Sequence, residues 1–234
     1  MLEIHPSHSG FPFSFFQIEQ ANILNRKSME AMLTKKEIAV FSHLSSPYTV
    51  QQFLDRLDYS KETHYRCPRS VLRDRMAHCY DGAIFAAAAL RMIGYPPLIV
   101  EILPNERDDD HILAIFKRNN HWGAVAKSNF VGLRYREPVY RTVRELMMSY
   151  FESYYNVARE RTMLGYTAAL NLNQFDVKNW LTCDSAMDAI GNALDRIHRY
   201  SILTPAMKRE LTHVDKRFAI AGLLGAKRAG LFKL

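Results

Sequence analysis

The sequence predicts an α+β fold in which a cysteine-bearing helix packs on a small antiparallel sheet, with additional N- and C-terminal helices around it. Three observations predict it. An alanine-rich run, "AIFAAAALRMIG", stops at Gly94 just before Pro96 and Pro97, the punctuation of a helix C-terminus. Three runs rich in β-forming residues follow, "PLIVEIL", "HILAIF" and "HWGAVAK". Helical periodicity then resumes and also precedes the unit.

Taken in order, residues 1–25 carry no clear period and read as partly extended chain draped over the fold. "TKKEIAVFSHL" is helical, with Thr34 as N-cap and Glu37 three residues on, the pattern of a capping box. "SPYTVQQFLDRL" is a second helix that Thr49 can cap, its Val50, Phe53, Leu54 and Leu57 falling on one face. "KETHYRCPRS" is a turn-rich connector and "SVLRDRM" a short helix. The strongest helical signal spans Ala77 to Ile93, and its many alanines allow a neighbour to pack very close. "PLIVEIL" is a strand; "HILAIF" and "HWGAVAK" form a hairpin turned by "KRNN". From Val139 the pattern is helical again, with Leu146, Met147, Tyr150, Phe151 and Tyr154 as a stripe that reads as core. Asp184 to Tyr200 and Pro205 to Leu224 read as two further amphipathic helices. The organisation is an N-terminal helical segment (1–60), a central unit (61–140) and a C-terminal helical region (141–234), packed as one compact domain.

Composition narrows the function. Of the 234 residues 48% are hydrophobic and 24% charged, which is globular rather than disordered. No run approaches a membrane span, and Pro12 and Ser14 interrupt an N-terminal apolar patch that no basic residue precedes, so the expectation is a cytoplasmic protein with no membrane partner. Three cysteines, Cys67, Cys79 and Cys183, are too few and scattered for a disulfide framework. The net charge of +7 is densest between Lys208 and Lys233. That tail reads as a solvated helix face, with an anionic partner as the alternative. Neither a Walker nor a Rossmann glycine pattern appears, so no cofactor is expected. His64, Cys67, His78 and Cys79 lack zinc-site spacing, so no metal is expected either.

The chemistry-bearing candidate is Cys79. It lies in the first turn of the alanine-rich helix, where unpaired backbone N–H groups and the macrodipole favour a thiolate and could hold an oxyanion. A buried structural cysteine is the bland alternative. A nucleophile needs a base from elsewhere in the chain, and His111 opens the strand "HILAIF" directly after the polar loop "RDDD". His78 projects about 100° away from Cys79 on a helix and reads as a neighbour rather than the base.

"CYDGAIFAAAALRMIGYPP", a strand, an acidic loop and "HILAIFKRNNHWGAV" together resemble the core of the transglutaminase-like superfamily, over roughly Met76 to Asn129. The resemblance rests on Cys79, on Leu90, Arg91, Gly94 and Pro96 closing its helix, on His111, and on Trp122 in the next strand. It implies a papain-like fold, Cys79 as nucleophile and His111 as general base and acid, acting on a peptide or protein amide or ester. Asp81 matches a frequently acidic position and could serve only to cap the helix. The family's third member, an Asp about four residues past the Trp, is missing: Ala126 and Lys127 stand there. Asn129 is the favoured substitute, Ser128 the other candidate. Two functions follow: hydrolysis or acyl transfer through a Cys79 thioester, or a catalytically impaired peptide- or protein-binding module.

Overall fold

The computed structural model describes residues 26–232; the expectation for residues 1–25 lies outside them. Residues 26–31 are helical. Helix α1 (Lys35–Ser42) starts behind the expected box: Glu37 N–H donates to Thr34 Oγ1 at 3.3 Å and Thr34 N–H to Glu37 Oε2 at 2.7 Å. Helix α2 (Pro47–Asp55) starts earlier than Thr49 implies. Ser46 is its N-cap and Thr49 the N3 partner, because Pro47 at N1 gives up only a donor that would be orphaned anyway. Two-residue strands β1 (Asp58–Tyr59) and β2 (Met76–Ala77) pair in parallel on either side of α3 (Pro68–Asp74).

Helix α4 (Cys79–Met92) follows, and every one of its 14 residues is buried. Full burial of side chains such as Ile84, Phe85 and Leu90 contributes roughly 1.5–3 kcal/mol each. The helix lies on a sheet whose strands are, in spatial order, β6 (Arg136–Tyr140), β5 (His121–Val125), β4 (His111–Arg118), β3 (Leu98–Pro104), β7 (Met163–Thr167) and β9 (Arg199–Ser201), all pairings antiparallel. Its centre is the expected trio β3 (Leu98–Pro104), β4 (His111–Arg118) and β5 (His121–Val125). Asn119 and Asn120, at φ 50° and 62°, make the β4–β5 turn, which needs two positive-φ residues that asparagine tolerates. Alternation splits β4 cleanly: Ile112, Ala114 and Phe116 join the α4 core, while Leu113 and Ile115 face Leu146, Tyr150 and Tyr154 on the far side. The chain is thus mixed α/β with a main antiparallel sheet.

The second half departs from the helical expectation in four places. Val139 and Tyr140 belong to strand β6 (Arg136–Tyr140), where Tyr140 pairs with Trp122. Helix α5 (Val143–Met148) therefore begins only behind Thr142, whose Oγ1 accepts from Glu145 N–H at 3.1 Å. Strands β7 (Met163–Thr167) and β8 (Leu170–Asn171) then extend the sheet. The helix expected from Asp184 to Tyr200 is confined to α6 (Ala186–Leu194), because Arg199–Ser201 is recruited as edge strand β9 along β7. The Pro205–Leu224 pattern divides into α7 (Pro205–Glu210) and α8 (Lys216–Gly222): Leu211 is extended and Asp215 recaps, accepting from Phe218 N–H at 2.9 Å. No helix among the described residues is long and apolar enough to cross a membrane.

Candidate functional site

Cys79 occupies the first position of α4, and its surroundings follow from how that helix is capped. His78 is the N-cap; its Nδ1 accepts from Tyr80 N–H at 3.1 Å. Asp81 completes the box by accepting from His78 N–H at 3.4 Å and also accepts from Arg66 N–H at 2.8 Å. Asp81 is fully buried, and that burial pushes its carboxyl up to about 7. Burial likewise pushes the His78 imidazole down to about 4, with Arg66 adding to the effect. His78 is a neutral cap at neutral pH, not a base for the thiol.

The Cys79 side chain is only 7% exposed. Its S–H donates to the carbonyl of Asp110 at 3.7 Å, and the backbone N–H groups of Ile112 and Tyr80 face the sulfur. The sulfur is thereby held between the backbone groups on either side of His111. Burial, then the charges of Asp110 and Asp109, push the thiol well up; the two N–H groups act in the opposite sense. The acidic loop before His111 is solvent-exposed at Asp109 and Asp110 and at the same time borders the cavities beside Cys79.

His111 opens β4 and is buried, at 4% exposure. Its Nε2 lies 2.7 Å from the carbonyl oxygen of Leu133, in the turn Val131–Leu133 that follows β5. Burial pushes the imidazole down to about 4, opposed by the Leu133 contact and reinforced by Arg136. Cys79, His111, Ser128, Asn129 and Tyr154 line one cavity of about 50 Å³. On its other side Cys79 lines a larger cavity of about 320 Å³ with His78, Tyr65 and Tyr80.

Asn129 shares the cavity, but its amide is turned to the C-terminal segment. Nδ2 donates to the carbonyls of Lys227 at 3.2 Å and Gly230 at 3.0 Å, and Oδ1 accepts from Lys227 N–H at 3.0 Å. The Ser128 hydroxyl accepts from Phe130 N–H at 3.0 Å. The partner of His111 is thus a backbone carbonyl, that of Leu133, in place of the amide of Asn129. Lys127 points inward, with Nζ donating to the carbonyls of Leu54 at 2.7 Å and Leu57 at 2.6 Å. Leu231 and Phe232 border both cavities and lie over the sulfur's surroundings. The sequence carried no local sign of Leu133 or of this covering segment. Backbone carbonyls have no residue signature, and the tail reaches Asn129 from about a hundred residues away.

The other two cysteines differ in kind. Cys67 is buried and its thiol is pushed up to about 11, chiefly by that burial. Cys183 is partly exposed, and the Ser185 hydroxyl pulls its thiol below the ordinary value. Among the described residues no group of three or more His, Cys, Asp or Glu side chains is placed to hold a metal ion. Comparison with known proteins yields no family: no family model matches the chain and no curated protein matches it.

Proposed function

We propose that the chain is a thiol enzyme of acyl transfer or hydrolysis with a papain-like, transglutaminase-like core, in which Cys79 attacks an amide or ester carbonyl and His111 carries the proton. The observation that supports this most is the hold on the thiol: its sulfur sits between the backbone groups of residues 110 and 112, in one cavity with the intervening His111. A structural cysteine needs no imidazole beside it. The helix order, the strand order and Trp122 support the family reading in the same way.

A carbonyl oxygen accepts only, so the Leu133 contact keeps the proton of neutral His111 on Nε2 and leaves Nδ1 basic. With the thiol raised and the imidazole lowered, the resting pair is neutral rather than an ion pair. The Sγ–H proton passes to Nδ1 as the bond from sulfur to the carbonyl carbon forms. The groups that would donate to the developing oxyanion are the Cys79 N–H and the hydroxyl of Tyr59, which lines the same cavity and which burial keeps protonated. As the intermediate collapses, the carbon–nitrogen or carbon–oxygen bond breaks and the leaving group takes the proton from His111. A water, or an amine in acyl transfer, then gives its proton to His111 and attacks the thioester carbon. The sulfur–carbon bond breaks and the proton returns to sulfur.

The test is acetylation of the full chain by p-nitrophenyl acetate, read residue by residue in a mass spectrometer because Cys183 also reacts. The expected result is an acetyl group on Cys79 that forms about 100-fold or more slowly in both His111→Ala and His111→Gln. Equal rates with and without the imidazole would overturn the reading. The second reading, peptide binding without turnover, draws on the covered state of the sulfur; peptide binding together with acetylation indifferent to His111 would establish it instead.

A further inference from the structure

A second cavity of about 510 Å³ adjoins the Cys79 cleft and shares Tyr65, Tyr80, Asp110 and Ile112 with it. Its far wall is one face of α6, where Asp188, Asn192 and Asp195 recur at helical spacing around Gly191. Its floor is Glu101, from the middle of β3. We infer that this cavity is a subsite for a cationic side chain, the guanidinium or ammonium of a basic residue in the acyl substrate. The inference rests on the reading of Cys79 as the nucleophile next door.

Two observations beyond the acidic composition carry it. Glu101 is 6% exposed, and its Oε2 is buried with no hydrogen-bond partner among the described residues. A buried carboxyl oxygen without a donor is costly and rare, and a donor-bearing cation entering the cavity would supply one. Burial, then a side-chain hydrogen bond with Asp110 and that residue's charge, pushes this carboxyl up to about 8, so at neutral pH Glu101 is mainly the protonated acid, and an entering cation would favour its ionisation. The second observation is Gly191. A glycine inside a helix costs about 1 kcal/mol relative to alanine, yet nothing lies within 4 Å of a Cβ built there. Packing does not require this glycine, and its bare Cα leaves that stretch of the cavity wall unfilled.

The carboxylates fit an extended cation, not a single ion. Among the described residues no three of them are grouped to hold a metal, and a cavity of small-molecule size has ample room for one long side chain. Tyr65 and Tyr80, with ring centroids 4.9 Å apart, add aromatic surface against which a guanidinium can stack. Arg199 already pairs with the lining residue Asp195 at 3.9 Å, a resident cation with which an entering one would compete.

The test compares Nα-acetyl-arginine methylamide with its neutral straight-chain counterpart, Nα-acetyl-norleucine methylamide. Binding is measured calorimetrically on the full chain carrying Cys79→Ala, so it needs no working thiol. The arginine probe is expected to bind at least about tenfold more tightly, the scale of one desolvated charge contact. That preference should collapse in Asp188→Asn/Asp195→Asn, two exposed positions that leave the fold alone, and in Gly191→Leu, which fills the cavity. Equal affinities, or a preference that survives all three changes, would overturn the subsite. In parallel, the thiobenzyl esters of the same two amino acids acylate the chain with Cys79 intact. Selective binding without Cys79 acylation would uphold the subsite and remove the nucleophile; equal acylation by both esters would uphold the nucleophile and remove the subsite.

Discussion

The Leu133 carbonyl and the carboxylate usual in Cys-His sites do different things to an imidazole. A carboxylate favours the imidazolium and raises its pKa; a neutral carbonyl orients the ring and adds little charge. At His111 burial therefore wins, and the ring is held down to about 4 from an ordinary 6.5. The imidazole is therefore neutral above about 4, and as the proposed base it would be available from there upward. The second-order rate of Cys79 acetylation should accordingly rise with pH along an acid limb centred near 4. A limb centred near 6.5 would mean that the ring is solvated in the reacting state. The same shift is a statement about stability. His111 binds fewer protons folded than unfolded between 4 and 6.5. Its contribution is therefore complete above 6.5 and is lost as pH falls toward 4.

At the scale of elements, the segment 227–232 is a strap across the cleft. The Asn129 amide holds it by donating two hydrogen bonds and accepting a third, and Lys227 pairs with Asp58. Gly230 is tight against its neighbours: a Cβ there would lie 2.6 Å from the Tyr59 ring and 3.0 Å from Asn129 Nδ2. Each amide hydrogen bond contributes on the order of 1 kcal/mol, so loosening the strap is within reach of one substitution. Asn129→Ala and Gly230→Val should each raise the rate of Cys79 alkylation by iodoacetamide, on the order of tenfold for the loss of net contacts worth about 1.4 kcal/mol. Cys183, far from the strap in sequence and already partly exposed, is the internal standard in the same sample. If Cys79 alkylates no faster relative to Cys183 in both variants, the segment does not gate access to the thiol.

At the scale of the whole molecule, what could be read from the sequence was what is encoded locally. The α4 helix with its Gly-Tyr-Pro-Pro ending, the three central strands, the Asn-Asn turn and the Thr34 box all come from neighbours within a turn or two. The positions of Cys79 and His111 were legible because each marks the start of such an element. Asn129 misled because β5 ends at Val125, so strand alternation no longer says which way residue 129 faces. Arg199–Ser201 misled because an amphipathic period cannot foresee that β7 offers an unpaired edge. The spacing between layers belongs to this scale too, and two helix glycines separate it from propensity. In α4, a Cβ on Gly82 would run into the Cβ of Lys127, whose ammonium is pinned to the end of α2 by the Leu54 and Leu57 carbonyls. In α6, Gly191 has open space above it. Helix propensity favours alanine at both positions by about 1 kcal/mol. Overpacking at Gly82 costs about 1–3 kcal/mol because Lys127 cannot retreat without leaving its carbonyls. Gly191→Ala should therefore raise Tm by roughly 2–4 °C, and Gly82→Ala should lower it by up to about 8 °C. Thermal unfolding of the two variants beside the parent decides the matter. If Gly82→Ala is as stable as Gly191→Ala, close approach of α4 to the end of β5 is not what sets the distance between helix and sheet.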